Sequence, residues 1–323
     1  MSDRWLVTGA AGFIGSHLCD ALLRDGVPVA GIDIFDQTLY ADEDRRRWAT
    51  AASSGGLQFG EIDIRDKEGV HRCAADFQPT RIVHLAALAG VRPSIASPEE
   101  YASVNIDGLV SVLDAAASVG CRRFVFASSS SVYGNTCSRP FVEDAEHTLP
   151  ISPYGATKRS GEFICRIRSE QDGMPIATVR PFTVFGERQR PDLAIHQFMR
   201  KVASGETISM FGDGSSTRDY TYVGDIVQGI RLASDAIGSE PRCREWNLGH
   251  GEPIELRELI AMIGEVVGRS PVIEELPMQT GDVDHTAADL QRSIRELGYA
   301  PSTTFADGLR RQWDWMQGQA VSC

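Results

Sequence analysis

Two residues four positions apart carry a chemical signal that few other places in this chain can match. Tyr154-Gly155-Ala156-Thr157-Lys158 puts a phenol and an ammonium on one face of a helix. A nearby cation favours phenolate, so the pair is expected to lower the tyrosine pKa from about 10 toward working pH and make a general base. The lysine can also grip the ribose of a nicotinamide nucleotide. The chain has seven tyrosines and only three lysines (Lys67, Lys158, Lys201). A solvated helical pair is the ordinary alternative, yet only about 0.07 such matches arise by chance at that composition. Upstream, Ser128-Ser129-Ser130-Ser131 offers four hydroxyls at the end of an apolar run, able to hydrogen-bond a sugar hydroxyl or a cofactor amide.

The N-terminus supplies a place for such a cofactor. Leu6-Val7-Thr8 runs into Gly9, Gly12 and Gly15, with Phe13 and Ile14 opening a helical pattern that stops at Gly26. Glycines at this spacing make a tight turn, admit a pyrophosphate to backbone N–H groups, and let the helix pack closely on a sheet. A second apolar run from Val27 ends at Asp33, about 20 residues past the glycines, where a carboxylate would accept from the adenosine ribose hydroxyls. That carboxylate would repel a 2′-phosphate, which favours NAD over NADP.

Strand-like runs recur at Val27 to Ile32, Leu57 to Ile62, Arg81 to Leu85, Arg123 to Ala127 and Ile176 to Val179, separated by helical patterns such as Tyr101 to Val119 and Tyr154 to Gln171. This alternation predicts an α/β fold with a doubly wound parallel sheet. Ligands then bind beyond the carboxyl ends of the strands, so Asp33, Asp63, Ala86, Ser128 to Ser131 and Pro181 to Val184 are the positions to watch. Past Phe182 the pattern breaks into short pieces. The expected division is a dinucleotide-binding domain at 1–180 with returning segments near 220–250, the rest of 181–323 forming a smaller C-terminal substrate-binding lobe.

A net charge of −12 argues against nucleic acid as a partner. Seven cysteines lie scattered without metal-ligand or disulfide-like spacing, so reduced, mostly buried thiols, no metal site and a cytoplasmic location are expected. No apolar run approaches the ~18 residues of a membrane span.

With both motifs in view, the chain resembles the extended short-chain dehydrogenase/reductases, a Rossmann-fold family, and within them the nucleotide-sugar epimerases and dehydratases. The resemblance covers essentially the whole length. It implies Tyr154 as base, Lys158 as its partner and Ser129 as the hydroxyl sharing the reacting proton, with the roles of Ser128, Ser130 and Ser131 left open. It implies that Asp63 and Ile64 frame the adenine, that Ala86 and Ala87 line the cofactor, and that Arg218 binds the substrate pyrophosphate. Dehydratases of the family carry an Asp-Glu pair in the serine loop, and UDP-glucuronate decarboxylases a glutamate. Phe126 to Gly134 contains no acid, which points to epimerisation at carbon 4, with NAD regenerated in each turnover.

Thr183-Val184-Phe185-Gly186-Glu187-Arg188-Gln189-Arg190-Pro191-Asp192, with Ala89-Gly90-Val91-Arg92 and Met278 to Val283, is similar to the UDP-glucuronate 4-epimerases. That similarity implies Thr183 and Arg190 as holders of the sugar carboxylate, with Arg92 and Ser130 as further substrate contacts. A guanidinium suits bidentate carboxylate binding. Pro181 and Thr280 depart from that pattern; a UDP-glucose 4-epimerase is the alternative, and a UDP-sugar dehydratase or decarboxylase of the same family, disfavoured by the missing acid, comes after it. The family also implies a homodimer built on the helices at 101–119 and 154–171.

Overall fold

The computed structural model describes residues 3–35, 42–135, 138–145, 148–238, 242–277 and 285–321. The Met278 to Val283 motif, Cys137 and Cys323 lie outside them.

The first half alternates strand and helix: β1 (Trp5–Thr8), α1 (Phe13–Arg24), β2 (Val29–Asp33), α2 (Asp42–Ser54), β3 (Gln58–Glu61), α3 (Lys67–Phe77) and β4 (Arg81–His84). Then come α4 (Val91–Ala96), α5 (Pro98–Ala102), α6 (Gly108–Ser118), β5 (Arg123–Ala127), α7 (Pro153–Asp172) and β6 (Ile176–Pro181). With β10 (Cys243–Leu248) these strands form a seven-stranded sheet in the order β10-β6-β5-β4-β1-β2-β3, parallel throughout.

Its strands read as apolar runs because both faces are covered. Neighbouring residues point to opposite sides. Val7, Val83 and Val125 pack with Leu18 and Leu22 of α1 and with Ile226 and Ile230 of α9 (Val223–Ala236). Leu6, Ile82 and Phe124 pack with Val70 of α3, Leu109 and Val112 of α6, and Cys165 of α7. The sheet is therefore doubly wound, and its order reverses between β1 and β4, which opens a crevice at their carboxyl ends.

The second half adds two smaller sheets. β7 (Thr183–Phe185) pairs with β9 (Thr217–Tyr222), which also pairs with β11 (Pro253–Glu255), while β8 (Thr207–Phe211) pairs with β12 (Val272–Leu276). α8 (Ala194–Ser204), α10 (Leu256–Val267) and, after the short α11 (Gln291–Leu297), α12 (Phe305–Val321) enclose a separate core of Met199, Ile208, Met210, Tyr220, Ile260 and Leu309. Tyr220 to Tyr222 lies in the three-stranded sheet, Val223 still packs in the smaller core, and from Ile226 the chain packs back on the seven-stranded sheet.

One element differs from its sequence expectation. The helical pattern at Tyr101 to Val119 is not one α-helix: π-helical backbone over Ser103–Asp107 separates α5 from α6. The extra residue per turn turns Asn105 inward, where its Oδ1 accepts from Leu88 N at 2.8 Å and its Nδ2 donates to Leu88 O and Thr157 Oγ1, both at 3.0 Å. The helix gives up regularity to fasten the loop after β4 to the start of α7.

Candidate active site

One cleft of about 550 Å³ runs along the carboxyl ends of β1, β2, β4, β5 and β6. At its floor the chain leaves β1 through Gly9, whose φ of +71° and distance to β4 admit no side chain, since a Cβ there would stand 2.8 Å from Ala86 N. A Cβ on Gly15 would overlap the Gly9 carbonyl oxygen. Gly12, Phe13 and Ile14 complete this wall at the N-terminus of α1. Such a cradle fits a pyrophosphate, and only one built on bare backbone could stay so open.

Further along, Asp33 closes β2. Its carboxylate accepts from Ala11 N at 2.9 Å and Ile34 N at 2.8 Å and pairs with Arg45 at 2.9 Å. Burial nevertheless raises its pKa above the usual value, against the pull of Arg45. Ile64, Ala86 and Ala87 line the same stretch, and so does Asp63, whose carboxyl the Arg65 guanidinium holds below the usual range. Sequence reading missed Arg45, because Asp42 to Arg47 reads as a solvated charge run.

At the other end Ser152 caps α7, its hydroxyl accepting from Gly155 N at 3.1 Å, and Pro153 follows as the first helical residue. This cap sets Tyr154 and Lys158 into the cleft together. Their electrostatics differ from expectation. Lys158 does not bring Tyr154 down in this structure: desolvation raises the phenol above its usual value, opposed by a hydrogen bond with Ser129 and by the charge of Arg190. The reason lies with the lysine, which is buried and donates from Nζ to Ala127 O at 2.7 Å. Burial pushes its own pKa down to about 8.

The four serines separate clearly. Ser128 Oγ turns away to donate to Glu162 Oε1 at 2.6 Å. Ser129 Oγ accepts from Ser131 N at 3.1 Å, lies 3.1 Å from Ser131 Oγ, and is the hydroxyl bonded to Tyr154. Ser130 and Ser131 line the cleft beside it.

Behind the serines lies a buried ion pair. Arg180 grips Glu162 with Nε and Nη2, both at 2.8 Å, and its Nη1 donates to Tyr133 OH at 2.8 Å and Glu143 O at 3.1 Å. Arg159 adds a third cationic donor to Glu162 at 2.6 Å. These donors hold the Glu162 carboxyl below its usual range although burial acts the other way. The signal for Glu162 was present in the sequence, since it extends Tyr154 and Lys158 by one more step of four along the same helix.

Thr183, at the start of β7, and Arg190 line the same cleft. Arg190 is 9% exposed and donates from Nε to Asp192 Oδ1 at 2.9 Å, from Nη2 to Asp192 Oδ2 at 2.6 Å, and from Nη1 to Ala89 O at 3.3 Å. Tyr101 OH donates to the same Ala89 carbonyl at 3.1 Å, and its ring meets Tyr154 edge-on at 6.3 Å. Arg92 and Arg218 are not brought into the lining of the cleft. Arg92 is exposed with its guanidinium 5.8 Å from the Phe211 ring, and Arg218 sits in β9, donating to Thr217 O at 3.0 Å.

Known proteins place this arrangement. The model of the NAD dependent epimerase/dehydratase family matches residues 5–249. The UDP-glucuronate 4-epimerase of Thermodesulfobacterium geofontis is 33% identical over 312 residues, covering 96% of this chain and 95% of that one. The UDP-glucuronic acid 4-epimerase from Bacillus cereus, solved in complex with UDP-glucuronic acid and NAD, superposes with a TM-score of 0.89 at 33% identity, covering 98% of this chain and 99% of that one. The UDP-glucose 4-epimerase from Thermotoga maritima, solved with UDP-glucose, reaches a TM-score of 0.87 at 29% identity with the same coverage. A glycine cradle running into Asp33, a Tyr-Lys pair on α7 and a family match over most of the length lead to one conclusion: the chain belongs to the NAD dependent epimerase/dehydratase family.

Proposed function

We propose that the chain inverts carbon 4 of UDP-glucuronate, giving UDP-galacturonate. The coarser statement, an NAD-dependent nucleotide-sugar 4-epimerase, follows from its family and relatives. The choice of sugar rests on Arg190, a buried guanidinium that lines, with Thr183, the same cleft as Tyr154 and Ser129.

When bound, NAD supplies the acceptor for the hydride of carbon 4 and returns it. In this reading Gly9, Gly12, Phe13, Ile14 and Gly15 seat the pyrophosphate, Asp33 takes the adenosine ribose, Asp63 and Ile64 frame the adenine, and Ala86 and Ala87 line the cofactor. Tyr154 removes the proton of the 4-hydroxyl, Ser129 shares it, and Lys158 stabilises the phenolate while holding the nicotinamide ribose. The 4-keto sugar then presents its opposite face, and Tyr154 gives the proton back.

Oxidised uronate is a β-keto acid, which loses CO2 when its carboxylate stands perpendicular to the carbonyl plane. Thr183 and Arg190 hold it away from that geometry. The serine loop contains no acid to drive another reaction. Arg92, Ser130 and Arg218 are assigned to the UDP-sugar, Arg92 and Arg218 requiring side-chain movement to reach it. Phe163 and Ile167, 50% and 51% exposed and one turn apart on α7, support pairing of two copies through that helix. The proposed division keeps 1–180 and the returning 220–250 as the NAD-binding domain, with the remainder as the UDP-sugar lobe.

A second reading, UDP-glucose as substrate, is favoured by one observation: Asp192 already engages Arg190. NMR of the purified protein incubated with each sugar decides between them. UDP-galacturonate appearing from UDP-glucuronate supports the proposal. Interconversion of UDP-glucose and UDP-galactose with UDP-glucuronate left untouched overturns the sugar and leaves the epimerase.

A further inference from the structure

Arg190 meets a carboxylate before any sugar arrives. Both Nε and Nη2 of the guanidinium lie on the two oxygens of Asp192, the bidentate arrangement that a uronate would itself seek. The backbone that carries the pair is fixed from both sides. Leu193 N donates to Arg190 O at 3.1 Å, closing the turn through Pro191, and Gln197 Nε2 donates to Asp192 O at 2.9 Å. Arg190 reaches across to Ala89 O, so the guanidinium spans the loop after β4 and the turn before α8. These bonds hold the backbone on both sides of Pro191 and so keep the Asp192 carboxylate within reach of Arg190.

We propose that Asp192 is a specificity-determining residue, setting how strongly the site distinguishes an acidic sugar from a neutral one. The inference rests on Arg190 as the carboxylate-binding group of the proposed function. An incoming uronate has to share or displace Asp192, and two carboxylates at one guanidinium repel each other, whereas a neutral hexose meets no such opposition. Asp192 therefore narrows the advantage that Arg190 gives to the uronate. Its side chain is 40% exposed, so solvent screens part of this repulsion and the effect is moderate.

The test measures binding, which does not depend on turnover. Calorimetric titration of the purified NAD-carrying protein with UDP-glucuronate and with UDP-glucose gives a ratio of dissociation constants for the wild type, Asp192→Asn, Asp192→Ser and Asp192→Glu. Removing the charge should shift that ratio toward UDP-glucuronate by roughly 3- to 10-fold in both Asp192→Asn and Asp192→Ser, and Asp192→Glu should restore the wild-type ratio. An unchanged ratio in both neutral variants, or a shift toward UDP-glucose, overturns the proposal. Failure of the parent reading is recorded separately, as wild-type protein that binds UDP-glucuronate without converting it.

Discussion

Lys158 in the wall of the cleft and Arg180 behind it are both buried, at 4% and 1% exposure, yet their surroundings differ in kind. Arg180 faces a full carboxylate, and every partner described for it accepts from it in good geometry. Its pKa is raised above the ordinary value for arginine. Lys158 has the Ala127 carbonyl and the ring of Phe126 at 5.2 Å, and its pKa falls to about 8. A cation with a complete counter-charge holds structure together. One left with a single neutral acceptor stores unfavourable energy, which arriving ribose hydroxyls or a phenolate can relieve. The same helix carries both the Glu162 that satisfies Arg180 and the lysine that stays unsatisfied, so α7 separates support from chemistry over one turn.

The largest expected effect lies on the chemical side. Tyr154→Phe should lower the epimerisation rate by roughly 10² to 10⁴, the usual contribution of a general base, with UDP-sugar binding kept. Normal turnover by this variant would remove the chemical half of the comparison.

On the structural side, Glu162→Gln leaves Arg180 buried without its counter-charge and should cost about 3 to 5 kcal/mol of unfolding free energy. The folded-state pKa of Glu162 is depressed, so its contribution is present above the unfolded carboxylate pKa and is lost as pH falls through the folded one. Urea unfolding at pH 7 and pH 4 reads both, with the deficit shrinking at the lower pH.

Lys158→Met should act in the opposite direction. In the NAD-free protein the lysine's pKa drops from 10.5 unfolded to about 8 folded. The unfolded chain then binds more protons between those values, and wild-type stability rises with pH across that window. Removing the charge relieves on the order of 3 kcal/mol below pH 8. The orphaned Ala127 carbonyl takes back about 1 to 2 of that. An inactive variant that is more stable than wild type at pH 7, its advantage fading toward pH 10, is the expected result. A constant difference across pH would show that burial of charge is not the cause.

The smallest effect contrasts two neighbouring serines. Ser128→Ala removes one of several donors to Glu162 and should cost about 1 kcal/mol of stability, while Ser129→Ala should lower turnover with little change in stability. Exchanged outcomes would mean that the two hydroxyls have exchanged roles.

What could be read from the sequence was local. Gly9 to Gly15, the apolar strands and the four-residue step from Tyr154 to Lys158 each depend on neighbours in the chain, so their spacing carries their meaning. Asn105 could not be read this way. Its bonds go to Leu88 and Thr157, and that distant demand reshapes a helix whose own residues show no break. Arg180 and Glu162 likewise belong to different elements, and only the fold shows that the Arg180 before Pro181 supports the serine loop. The rise in the Tyr154 pKa was hidden for a related reason: helical spacing gives proximity but not burial, and burial decides the sign here. Asp192, two residues after Arg190, was visible but unremarkable until the turn joined their side chains.

The strand order has a consequence for how the chain is made. Six strands of the large sheet are complete at Pro181, but the seventh is supplied by Cys243–Leu248, after the chain has built part of the smaller sheets. Trp246 from that late strand is buried in the main core, and Asn247 donates to Phe141 O at 2.8 Å and accepts from Tyr133 OH at 2.7 Å. A nascent polypeptide emerging from the ribosome therefore carries an open hydrophobic edge along β6 from Pro181 until Cys243–Leu248 is made, and contacts this distant in sequence form slowly. Truncation after β6 should give an aggregating fragment rather than a miniature nucleotide-binding protein, and chaperone demand should peak just before residue 243 leaves the exit tunnel.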